Sequence, residues 1–314
     1  MIGTVSETPE AIDKIISFQD WLRETLANHP DKKYRHRRMD EVEELRSAIL
    51  PQLRGVVREA HADAIRALQN PRRISLDQLR SPDMPAMEDL YPQALPIKTL
   101  MGYFGEVLAG VLCEYFSPMD ETRWKVPAYL FGLHRHAFRY LERIRQVGKP
   151  KDPKHDQIYG RAGDDCLAFV LDREGKIVRS IVCEAKCLSK HNSNVLRDAH
   201  EKLNHEEGIP EDRIQVIAVL EERQRQMGED PEITQWINAL YELEFQVSSE
   251  YERCDLVCYI CGNAPKIRPS WIDCQKPHSI YRGRRALEAI EVYLPNVQQL
   301  VRVVYGKEVD ESEI

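Results

Sequence analysis

The sequence is short of the features that would place it in several large classes. No apolar run approaches the length needed to cross a bilayer, and the opening residues, MIGTVSETPEAIDK, lack the basic and apolar segments of a secretory leader. The expectation is a cytoplasmic protein with no membrane association. The chain has no G-x-x-x-x-G-K-S/T loop to cradle nucleotide phosphates, so any ATP-driven step would belong to a partner such as a helicase. An excess of positive charge is also missing. Lys and Arg number 44 against 51 Asp and Glu, and the net charge of −7 argues against a generally basic nucleic-acid coat protein and puts the weight on local charge. The 8 cysteines are scattered rather than arranged as a secreted framework, so reduced thiols are expected.

What is present suits a folded chain of one large or two smaller domains. Its 314 residues are 42% hydrophobic and 30% charged. Residues 9–70 read as helices, with Val42, Leu45, Ile49, Leu53, Val56, Val57, Ala60, Ala64 and Leu68 at three- and four-residue steps and Pro51 dividing the run. Lys32, Lys33, Arg35, Arg37 and Arg38, with Tyr34 and His36 between them, form a basic patch that is either a solvated face or a nucleic-acid contact. Four prolines between 81 and 96 break periodicity and mark the expected boundary. The chain is thus divided into a helical N-terminal region, 1–95, serving a partner or nucleic acid, and a second domain, 96–314.

The most informative stretch runs from Gly163 to Cys187, GDDCLAFVLDREGKIVRSIVCEAKC. Two apolar runs flank a polar turn containing Gly175, which is a β-hairpin signal. Opposed residues in a hairpin have nearly constant summed numbers, so a turn near Glu174 sets Asp164 or Asp165 against Cys183 or Glu184. Side chains alternate along a strand, so Glu184 and Lys186 share a face. Two carboxylates and a lysine at apolar strand ends suit a hard cation such as Mg²⁺ or Mn²⁺, which activates water while an ammonium orients it or meets a phosphate. The plainer alternative is a hairpin with charged ends in solvent.

Upstream, Leu100–Phe116 has helical spacing with Gly102, Glu106 and Gly110 on one stripe; small neighbours would let the helix approach a sheet and Glu106 reach in. Arg135, Arg139, Arg143, Arg145, Lys149, Lys151 and Lys154 then concentrate positive charge just ahead of the hairpin, as a candidate phosphate-binding stretch. Farther on, Arg213–Leu220 reads as a buried strand, Pro231–Val247 as a helix, Asp255–Cys261 as a strand and 284–305 as largely helical. Together these favour an α/β (α+β) fold with a mixed central sheet flanked by helices.

Gly163-Asp164-Asp165 followed by Glu184-Ala185-Lys186 resembles the active-site hairpin of the PD-(D/E)XK nuclease superfamily. The arrangement of a G-E helix, GDD and EAKC is similar to the nuclease subunit of Hachiman-type anti-phage defence systems. The resemblance covers roughly residues 97–220 and implies a restriction-endonuclease-like fold and Mg²⁺-dependent cleavage of nucleic acid, DNA before RNA. It also implies roles: Asp165 and Glu184 as metal ligands, Lys186 positioning water, and Glu106 as accessory ligand. Asp164 exchanges with Asp165 if a bulge flips the parity. Many members carry a glutamine on the helix after the hairpin; residues 192–204 have none. The competing expectation is a catalytically silent scaffold of the same fold.

A second constellation, Cys258-x₂-Cys261 with Cys274-x₃-His278, has spacing compatible with structural zinc. Against it, a buried strand over Leu256–Ile260 would send Cys258 and Cys261 to opposite faces, and free buried cysteines are then expected.

Overall fold

In the computed structural model, residues 16–31, 33–69, 85–148, 158, 163–204, 208–245, 251–266 and 268–307 are described. Six strands form one sheet: β1 (Leu22–Asn28), β2 (Tyr34–Glu41), β3 (Cys166–Leu171), β4 (Ile177–Leu188), β5 (Glu252–Cys261) and β6 (Ala286–Tyr293), in the order β1-β2-β6-β5-β4-β3. The outer pairs β1/β2 and β3/β4 are antiparallel, whereas β2, β6, β5 and β4 run parallel. Among the described residues nine α-helices accompany the sheet: α1 (Phe18–Trp21), α2 (Arg46–Gln69), α3 (Met87–Leu90), α4 (Ile97–Phe116), α5 (Arg135–Val147), α6 (Ser193–Lys202), α7 (Arg213–Met227), α8 (Pro231–Phe245) and α9 (Val297–Val304). The architecture is α/β with a mixed sheet flanked by helices. Among the described residues no helix is long and apolar enough to cross a membrane.

The sheet separates two cores. Cys254, Leu256, Cys258 and Ile260 of β5 face the core built with α2, α4 and α9, while Val257, Tyr259 and Cys261 face the core built with α6, α7 and α8. A strand buried on both faces must be apolar throughout, which is why β5 reads as a continuous run. Helix α4 is the main support of the first face. It buries Leu100, Phe104, Leu108, Val111 and Leu112, each contributing roughly 1.5–3 kcal/mol. It lies close to the sheet because residue 105 is glycine: a Cβ there would stand 3.2 Å from Cys187 Cβ.

Four sequence expectations are corrected. Residues 22–41 are not helical but form the β1–β2 hairpin, whose second strand pairs with β6. An edge strand with one solvated face shows few apolar residues, so the polar run LRETLAN gives little strand signal. Arg213–Leu220 is the first half of helix α7, not a strand. Its β-branched run buries Val216, Ile217, Val219 and Leu220 while Ile214 is exposed, and α7 pairs with α8 as a helical hairpin. Residues 286–293 are strand β6 rather than helix; the buried carboxylates of Glu288 and Glu291 give the strand an amphipathic look. Pro51 does not divide the N-terminal helix, because α2 begins at Arg46 and accommodates it early in its length. The first core draws on residues from both sides of position 95, from Phe18 to Tyr305.

The arginines and histidine of the basic patch, on β2, are tied up internally, while Lys33 just before the strand is exposed. Arg35 pairs with Asp120, Arg37 with Glu288 and the Phe116 carbonyl, and Arg38 with Asp40. His36 is fully buried beside Glu291. Lys32 lies outside the described residues.

Candidate active site

The β3–β4 register pairs Cys166 with Cys183 and Leu167 with Val182 across a turn in which Gly175 has a φ of +82°. Just beyond the paired residues, the Asp165 N–H donates to the Cys183 carbonyl at 3.2 Å and the Ala185 N–H donates to Asp165 Oδ2 at 2.8 Å. This clasp fixes the Asp165 carboxylate against β4. Cys183, Ala185 and Cys187 face the α4 side, so strand alternation turns Glu184 and Lys186 to the other face.

There the charged groups converge. Lys186 Nζ touches Glu184 Oε1, donates to the Ala185 carbonyl at 3.3 Å and stands 3.7 Å from Asp165 Oδ2. A second ammonium joins from α6: Lys202 Nζ lies 3.0 Å from Glu184 Oε1 and 3.9 Å from Asp165 Oδ1. The Glu184 side chain is 3% exposed and that of Lys202 43% exposed, so the cluster opens to solvent on the α6 side. Helix α6 is started by Asn192, whose side chain accepts from the N–H groups of Asn194 and Val195. Its burial of Leu196, Ala199 and Leu203 swings the last turn toward the hairpin.

Burial pushes the Glu184 carboxyl up to about 7, with the Asp165 charge adding to it and Lys186 and Lys202 pulling the other way. For Lys186, burial favours the neutral amine, but Asp165 and Glu184 outweigh it, with a smaller part from Glu106, and hold its pKa above the usual lysine value.

Of the expected site residues, the structure brings together Asp165, Glu184 and Lys186. The Asp164 N–H instead bonds Asp212 Oδ2 at 2.8 Å, at the start of α7. Glu106 is buried on α4 and approaches from the opposite face, near enough to bear on Lys186. Among the described residues no three His, Cys, Asp or Glu side chains gather at metal-holding distance. The oxygen set nonetheless suits a hard cation, because two carboxylates and the Ala185 carbonyl already converge on one positive point, the Lys186 ammonium. Sequence reasoning missed Lys202; its only signal is a place next to the inward Ala199–Leu203 stripe of the helix after the hairpin.

Arg135, Arg139 and Arg143 are exposed on α5, which buries Ala137, Phe138, Leu141 and Ile144 beneath them, and Arg145 is half-buried. Lys149, Lys151 and Lys154 lie outside the described residues. Cys258, Cys261, Cys274 and His278 do not converge: Cys258 faces the first core and Cys261 the second. Cys258 instead shares the first core with Cys113, Cys166 and Cys183, and Cys113 and Cys183 approach to 3.5 Å as free thiols. No protein-family model matches the chain, and no curated protein matches it significantly.

Proposed function

We propose that the chain is a metal-dependent nuclease of the PD-(D/E)XK type, with a restriction-endonuclease-like core, hydrolysing nucleic-acid phosphodiester bonds. The observation that carries this is the convergence of Asp165, Glu184 and the Ala185 carbonyl on one cationic point at the end of an apolar hairpin, with two lysines at its lip. Asp165, Glu184 and the Ala185 carbonyl would hold Mg²⁺ or Mn²⁺, with Asp164 and Glu106 outside the immediate set. Such a metal supplies a water nucleophile near neutral pH and stabilises charge on the phosphate. Lys186, freed from Glu184, orients that water or meets the developing charge, and Lys202, the more exposed of the two, faces incoming phosphate. The exposed guanidiniums of α5 add phosphate contacts away from the hairpin. The likeness to the nuclease subunit of Hachiman-type defence supports an ATP-driven partner and a cytoplasmic defence role.

The test is cleavage of supercoiled, linear and single-stranded DNA and of RNA in Mg²⁺ or Mn²⁺, with a chelator control, by wild type and Lys186→Ala. Mn²⁺ titration of both proteins and of Glu184→Ala accompanies it. Metal-dependent cleavage that is lost in Lys186→Ala, with Mn²⁺ binding kept there but lost in Glu184→Ala, is expected. No metal binding by wild type would overturn the proposal in favour of a silent scaffold.

A further inference from the structure

The parallel strands β4, β5 and β6 end side by side at Leu188, Cys261 and Tyr293, the rim where ligands of parallel sheets collect. The two loops that follow β4 and β5, residues 188–192 and 262–272, contain Lys190, Lys266 and Arg268 and no carboxylate. All three cations are exposed. In a chain of net charge −7 this is a local reversal.

Aromatic rings stand among these cations as a column. Trp271 packs with both Arg38, whose guanidinium sits 5.6 Å from its ring centre, and His191, whose ring is 6.5 Å away and within 17° of parallel. Arg38 also covers Tyr293 at 5.8 Å. His191 is the exposed member of the group, so its ring is the one that solvent or a ligand can reach.

The column is rigidly built. Glu291, buried in β6, accepts the N–H groups of both Trp271 and Ile272. Arg38 donates to the Pro269 carbonyl. His191 Nδ1 bonds the Tyr259 hydroxyl at 2.9 Å, and the His191 N–H bonds Asn263 Oδ1 at 2.7 Å. The two loops approach so closely that a Cβ on Gly262 would stand 2.8 Å from the Ser189 carbonyl oxygen. The Trp271 indole N–H has no acceptor among the described residues. Tyr259, the strut beneath His191, is the register partner of Lys186 on the neighbouring strand. The column therefore stands one strand away from the candidate active site.

We infer that this rim is a stacking platform for single-stranded nucleic acid: an unpaired base lies on the outer face of His191, and Lys190, Lys266 and Arg268 hold the flanking phosphates. A base paired within a duplex has no free face to offer, whereas every unpaired base has one, so the platform selects for strandedness rather than sequence. The inference rests on the nuclease proposal only for its purpose, which is to lead an unpaired strand toward Lys186 and Lys202.

Binding of fluorescein-labelled oligo-dT, oligo-rU and a DNA duplex of equal length, measured by anisotropy in chelator, tests it without cleavage. Wild type is expected to prefer single strands. His191→Ala should weaken them roughly 5- to 50-fold, the effect of losing one stacked base, and His191→Phe should restore most of the affinity. Changing Lys190, Lys266 and Arg268 to Gln should lower the log–log salt slope by about 0.7 for each phosphate that is no longer neutralised. Unchanged affinity in His191→Ala, preference for the duplex, or no binding of any of the three overturns the platform. The nuclease proposal is decided separately by metal titration and cleavage, so a failed platform with intact metal-dependent cleavage is distinguishable from failure of both. The dT and rU arms separate DNA from RNA.

Discussion

Two sets of carboxylates lie in or beside this sheet, and they are held by different kinds of partner. Asp255 is fully buried and receives Arg285, the Tyr281 hydroxyl and, at 3.6 Å, Arg253. Glu288 receives Arg37 and the Met119 N–H, and Glu291 receives two backbone N–H groups. Guanidinium forks and backbone donors cannot leave without unmaking the loops that carry them. Glu184 instead faces two ammonium groups on flexible stems, one of them 43% exposed, and Asp165, fixed by the Ala185 N–H, stands within 4 Å of both. Lys202 can swing away at the cost of a half-exposed ion pair, and the oxygens then remain grouped for another cation. The chemistry of the partner therefore separates structural from exchangeable carboxylates more clearly than burial does, since Glu184 is nearly as buried as Glu291.

Removing a fixed partner should have the largest effect. Asp255→Ala leaves Arg253 and Arg285 without their buried counter-charge and is expected to cost about 3–5 kcal/mol in chemical denaturation. A loss below about 1 kcal/mol would break the contrast from the structural side. Next, Glu184→Gln should lower metal-dependent cleavage by roughly 100-fold or more, the scale for a preorganised group facing developing charge. Circular dichroism and thermal unfolding should show an intact fold; a variant that fails to fold would place Glu184 among the structural carboxylates. The smallest effect is in pH. The Glu184 carboxyl binds its proton more tightly folded, near 7, than in its ordinary state, at 4.5. Between those values the native state carries the extra proton, so in chelator this contribution to stability is present at pH 4.5 and lost as pH rises through 7, by about 1–3 kcal/mol. Thermal melts of wild type and Glu184→Gln across this window should diverge in that direction, and parallel curves would remove the effect.

The sequence is most legible where physical constraints are local. The β3–β4 hairpin combines an apolar period with a glycine turn, and its arithmetic sets Asp164 or Asp165 against Cys183 or Glu184, a choice that the structure makes by clasping Asp165 to β4. Helix α4 is equally clear because one stripe of Leu, Phe and Val has to meet the sheet. Elsewhere tertiary context decides. RIQVIAVL has the side chains of a strand, yet it packs as the first half of α7 against α8 and the second core. ALEAIEVY hides two carboxylates whose partners, Arg37 and the Trp271 and Ile272 N–H groups, lie elsewhere in the chain. Lys202 escapes a reading of the sequence because the resemblance directs attention to a glutamine, which residues 192–204 lack, and a lone lysine at a helix end is ordinarily a solvated one. The His191–Trp271–Arg38 column joins the loops after β4 and β5 to the middle of β2, so no local pattern announces it.

The parallel pairing of β2 with β6 joins residues near position 37 to residues near position 290. Pairings of such sequence separation form late, because the loop they close must first lose its freedom. The carboxylates and lysines between 165 and 202 can therefore assemble while the chain is still incomplete. Arg38 and Tyr293, by contrast, meet Trp271 only after β6 has docked. A ribosome-bound or C-terminally clipped chain would hold the Asp165, Glu184 and lysine cluster without the rim, and the order of assembly itself would withhold the rim from an unfinished molecule.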